Sequence, residues 1–210
     1  MRISGMNKWM MSLAFILKVL IGLCFLFIYT EHYGNGALGG DAGRFMEESK
    51  MLNDVFFTSP SDYFKFLFGI GESKDLVELH LHETTYWDTG DQSIINDSKN
   101  VLRVHSIIHF FSFQYPFIHI LIMCFISLIG VKNLFIGIQS RTKLKPVLLF
   151  WSIMLIPSLM FWTSGILKEP FMFLGLALAV RALIGQELLK KRTWLGLLGF
   201  VLLLGFKPYL

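Results

Sequence analysis

From Met10 to Tyr29 the chain is apolar, with Lys18 as its single charge. Few folds accept such a run, because about 20 apolar residues is what an α-helix needs to cross about 30 Å of hydrocarbon. Comparable blocks return at about residues 105–130, 146–163, 170–186 and 194–207. Hydrophobic residues make up 54% of the 210, and they are gathered in these blocks. The expectation is an all-α integral membrane protein, one membrane domain over residues 1–210 with about five transmembrane helices. The first block is too long for the apolar region of a signal peptide, and no small-x-small site follows it. Lys18 is expected to snorkel toward the headgroups.

The net charge of +4 hides a partition. Thirteen of the 15 acidic residues lie between Glu31 and Asp97, where only six bases occur up to Arg103. The other bases crowd the N-terminus and the 131–145 and 186–193 segments. Bases in short loops mark the cytoplasmic side. That places the N-terminus in the cytoplasm and the long 31–104 loop outside a multi-pass inner (plasma) membrane protein. Topology thus explains the basic pI, and no nucleic-acid partner is expected.

The long loop carries amphipathic pieces between the first and second spans. Phe45, Ser49, Leu52 and Phe56 recur at helical spacing, with Arg44, Glu47, Lys50 and Asp54 off the stripe. This suits a helix lying on the membrane surface. Tyr63 to Ile70 is a second interfacial piece, and Leu76 to His82 alternates weakly. Cys24 and Cys124 lie inside apolar blocks and form no metal motif or disulfide framework.

Three sets of residues could carry chemistry. Asp41, Glu47, Glu48 and Asp54 gather beside the membrane, where a carboxylate can act as general base or hold a divalent metal. Asp41 also sits where a helix N-cap would, after Gly39 and Gly40. Arg103, Lys168 and Lys207 stand at the outer mouths of spans, level with lipid phosphates. They can clamp a phosphate or simply snorkel. His80 with His82, and His105 with His109, offer pairs of metal ligands, but neither a cysteine nor a further histidine completes a zinc set by spacing. His119 is expected to be hydrogen-bonded inside the bundle. No cofactor is assigned, and a divalent metal at the acids is left open.

The first span, the acid in GGDAGRF, the interfacial helices, PSLMFWTSGILKEP and the closing FKPYL together resemble GT-C type bacterial membrane glycosyltransferases, which use polyprenyl-phosphate sugars. Members usually have eight or more spans, so the chain resembles their N-terminal portion and is expected to be truncated. The resemblance implies transfer of a sugar from a lipid-linked donor to a glycan or lipid acceptor of the cell envelope, on the outer face. It implies Asp41 as catalytic base, Glu47 or Glu48 assisting, and Lys168 facing the donor phosphate. Asp41 is followed by Ala42, where the commonest pattern has two adjacent acids. The competing expectations are a polysaccharide polymerase or flippase-like protein, and a non-catalytic membrane subunit or fragment.

Overall fold

The computed structural model describes residues 8–88, 96–186 and 188–207, and all regular elements among them are helices. Arg2 and Pro208 to Leu210 lie outside the described residues. Two helices are long and apolar enough to cross a membrane, α1 (Lys8–Glu31) and α7 (Pro116–Gln139). The chain order between and after them is α2 (Gly40–Thr58), α3 (Pro60–Phe68), α4 (Lys74–His80), α5 (Thr85–Asp88), α6 (Asp97–Ser112), then α8 (Pro146–Met154), α9 (Pro157–Trp162), α10 (Glu169–Ile184) and α11 (Leu189–Phe206).

α7 is the central post. α1, α8 and α10 pack on it, and α11 packs on α10. Missing side chains allow the closest approaches. A Cβ on Gly130 of α7 would meet the Phe173 ring at 2.7 Å, and one on Gly199 of α11 would meet Gly175 O at 2.7 Å. Small residues of this kind bring membrane helices together where no hydrophobic force drives them. α1 leaves Trp9, Leu13, Ile16, Leu20 and Phe27 on one exposed stripe. In water an apolar face of this size marks an interaction surface, and in hydrocarbon it is the surface that meets lipid.

The second apolar block is not one span over 105–130. α6 stops at Ser112, and Phe113 and Gln114 take positive φ of 49° and 67°. α7 then starts afresh with Pro116 in its first turn and continues past Gly130 through Lys132 to Gln139. Proline lacks the N–H that a first turn leaves unused, so Pro116 begins a helix rather than kinking one. Pro157 does the same, splitting the 146–163 block into α8 and α9. The backbone from Thr163 to Leu167 is buried without being helical. Irregular backbone is tolerated at membrane depth when protein surrounds it.

Lys18 does not snorkel. Its side chain is fully buried, and Nζ donates to Thr163 Oγ1 at 3.0 Å and Ser164 Oγ at 3.2 Å. It therefore anchors the irregular stretch to the middle of α1.

The 31–104 segment folds onto one end of the bundle, here called the loop end. The predicted α2 stripe is buried against α6 rather than laid on a membrane. Phe45, Ser49 and Leu52 are enclosed, Asn53 Nδ2 donates to Ser106 O at 3.0 Å, and Tyr63 Oη and Ser106 Oγ lie 3.3 Å apart. Gly69, at φ 68°, closes α3. The Leu76–His82 stretch is helical as far as His80, so His80 and His82 share no strand face. His80 instead sits 3.4 Å from Asp62, and His82 is exposed beside Glu83. Beneath α4, Glu72 pairs with both Lys99 and Arg103 of α6, all three side chains being 8% exposed or less.

Candidate functional site

The loop end of the bundle is built around a glycine turn. Leaving α1, the chain returns so that Gly39 N–H donates to Tyr29 O at 2.9 Å. Gly40 has φ +60°, and a Cβ there would stand 3.2 Å from Tyr29 Cε1. The left-handed backbone favours glycine, and a side chain here would also press on the Tyr29 ring. The turn sets Asp41 in the first turn of α2, next to the Tyr29 ring. Gly39, not Asp41, occupies the N-cap position, and it makes no side-chain capping bond. Asp41 is exposed and is not consumed as a cap.

Opposite stands the start of α10. Lys168 occupies its N-cap position and Nζ pairs with Asp97 Oδ2 at 2.5 Å. Asp97 opens α6, whose N-cap is Asn96, its Oδ1 accepting from Ser98 and Lys99 N–H. Asn96 thus has a structural task. Glu169 follows Lys168, one residue ahead of the apolar run. Asp41, Lys168 and Lys207 all act electrostatically on its carboxylate, and Tyr29 feels both Asp41 and Glu169. Tyr86 of α5 stacks on Phe45 of α2 and also feels Asp41. Burial raises its phenol, helped by the charges of Asp41 and Glu48.

An apolar groove of about 720 Å³ runs between α9, α10 and α11, walled by Ile156, Leu159, Trp162, Met172, Leu176 and Leu203. Glu169 is its charged wall residue. One carboxylate oxygen, Oε2, is buried there without a hydrogen-bond partner.

Of the residues singled out by sequence, Asp41, Lys168 and Lys207 thus act electrostatically on the same residue, Glu169. Glu47 is exposed on α2. Glu48 is turned away from the groove, its two oxygens accepting from Thr85 N–H at 2.9 Å and Tyr86 N–H at 3.2 Å. It holds the α5 turn in place, which leaves it poorly suited to assist a base. Arg103 is likewise committed to structure. Nε donates to Phe66 O, Nη1 to Asn100 Oδ1, and Nη2 to Glu72. Glu169, Tyr29 and Asp97 were missed from sequence. An acid beside a lysine reads as a local pair, and only the fold brings Asp41 to it.

The histidines assemble elsewhere. His105 Nδ1 lies 2.7 Å from His119 Nδ1, His119 Nε2 lies 2.9 Å from Ser112 Oγ, and His109 Nε2 lies 3.0 Å from Ser49 Oγ. His119 is thus hydrogen-bonded inside the bundle. A metal shared by two imidazoles needs about 2.0–2.1 Å to each nitrogen, which separates them by more than a direct hydrogen bond does. Among the described residues no group of three or more His, Cys, Asp or Glu is placed to hold a metal ion.

No protein-family model matches the chain, and no curated protein and no solved structure matches it either.

Proposed function

We propose that the chain is a multi-pass membrane glycosyltransferase that moves a sugar from a polyprenyl-phosphate donor to a cell-envelope acceptor on the outer face. One observation carries the reading. An apolar groove has Glu169 as its charged wall residue, and Asp41, Lys168 and Lys207 act electrostatically on that carboxylate. A ligand with a long hydrocarbon tail and an anionic, hydroxyl-bearing head has that same distribution of polarity.

In this reading α1, α7, the α8–α9 pair, α10 and α11 make five crossings. The bases at 141–145 and 190–192 then lie on the cytoplasmic side with the N-terminus, and the loop end faces outward. Asp41 is the general base. It takes the proton from an acceptor hydroxyl as that oxygen bonds to the anomeric carbon. The C–O bond to the donor phosphate breaks, and the lipid phosphate leaves with the electron pair. Lys207 and Lys168 neutralise the charge that gathers on the leaving phosphate, the larger part of the catalytic task in a dry site. Asp97 holds the Lys168 ammonium in place.

A polymerase or flippase would present several bases to lipid phosphates.

The test is transfer from a labelled polyprenyl-phosphate sugar in membranes, comparing wild type with Asp41→Asn at equal expression. Loss of a general base slows transfer by about 10²–10⁴-fold. A variant working near the wild-type rate would remove Asp41 from the chemistry. No transfer from wild type itself would favour a non-catalytic subunit.

A further inference from the structure

A buried carboxylate oxygen without a partner is costly, because it has given up water and received nothing in exchange. Glu169 Oε2 is in that position, at the edge of a groove whose other walls are almost wholly apolar. The Thr163 hydroxyl, which also lines the groove, is already engaged with Leu159 O, Lys18 and Ser127. A hydroxyl-bearing ligand in the groove would complete Glu169. Its chemistry is restricted, because a carboxylate accepts hydrogen bonds and repels anions. Lys168 and Lys207 supply positive charge beside it, so a phosphate has its own place and does not need Glu169.

We propose that Glu169 Oε2 is the acceptor for a hydroxyl of the donor sugar, and so the contact by which the groove tells a sugar-bearing lipid phosphate from a bare one. The inference rests on the transferase reading and assigns that site a ligand subsite. The bound donor is ordered by polarity: tail in the groove, phosphate at the lysines, sugar hydroxyl at Glu169. Asp41 is left free for the acceptor. Discharged lipid phosphate lacks the hydroxyl, leaves Oε2 unpaired again and is released more readily than fresh donor binds.

The experiment is equilibrium binding to the full chain in nanodiscs, with farnesyl phosphate and farnesyl phosphoryl glucose as the two probes. Wild type is expected to bind the glucosylated probe more tightly, by roughly ten- to a hundredfold for one hydrogen bond to a charged acceptor. Glu169→Leu is expected to abolish that preference while still binding farnesyl phosphate, and Glu169→Gln to fall between. Leucine matches the groove wall and removes an unpaired charge, so loss of fold does not confound the result. A preference unchanged in Glu169→Leu, or equal weakening of both probes, overturns the assignment and leaves the transferase reading standing. Failure of wild type to bind either probe overturns both.

Discussion

Arg103 Nη2 donates to Glu72 Oε1 at 2.6 Å with both side chains 8% exposed, and Lys99 reaches the other oxygen of the same carboxylate. One acid therefore balances two buried cations, and Lys99 also lies 5.6 Å above the Trp87 ring. The 69–75 turn is fastened to α6 through Glu72.

Removing that charge leaves two cations enclosed without their counter-ion. Glu72→Gln is expected to cost about 3–5 kcal/mol, the usual penalty for breaking a buried pair. Thermal unfolding in nanodiscs measures it. A loss no larger than that of an exposed ion pair, below about 1 kcal/mol, would show that water reaches the triad.

Lys18 gives an asymmetric prediction. The Thr163 and Ser164 hydroxyls also donate to Leu159 O and Met160 O, so they stay satisfied without the ammonium. Lys18→Met should therefore be mild. The double change Thr163→Val with Ser164→Ala strands the charge and should cost about 3–5 kcal/mol. Adding Lys18→Met to the double variant should recover most of that loss. Additive effects in the triple variant would contradict the bonding.

Asp62 titrates abnormally low, at about 2 against an ordinary 3.8, because Lys65 and then Ser59 hydrogen-bond its ionised form. A depressed folded value means the contribution is complete above about pH 3.8 and is lost as pH falls toward 2. Carboxyl-carbon NMR should find the low midpoint, and Lys65→Met should move it back toward 3.8. A midpoint already near 3.8 in wild type would show that the Lys65 bond does not persist.

Glu169 Oε2 is buried without a hydrogen-bond partner. Glu169→Leu should therefore raise stability at neutral pH by about 1–3 kcal/mol, measured by thermal unfolding in nanodiscs. A less stable leucine variant would mean that Oε2 has a partner in solution.

The apolar blocks announced α1, α10 and α11 because length and hydropathy are local properties. The corners were harder. Leu155 to Ile156 is as apolar as the helices it separates, so hydropathy runs straight through it, and at Phe113 to Tyr115 a single glutamine is the only polar interruption. The legible signal was stereochemical: a residue before proline is driven out of helical φ and ψ, and both Pro116 and Pro157 begin helices. The α2 stripe was visible, but its partner was not. Periodicity shows that a face is covered, and α6 is a neighbour only in three dimensions. Asp41, Lys168 and Lys207 could be picked out as charges beside apolar runs. Glu169 could not, because what distinguishes it is an oxygen left bare by tertiary packing.

The bond between Lys18 and Thr163 spans 145 positions, and that separation bears on how the protein is made. α1 enters the bilayer while the residues that will receive its charge are still untranslated. At about 5–20 residues per second the wait is several seconds or longer. A lysine at the centre of an isolated helix costs about 2.5–3.5 kcal/mol on insertion. Until the 163–164 stretch arrives, that cost is set against the apolar residues of the same helix. Lys18 thus gains its hydroxyl partners only once the chain has been made through α9.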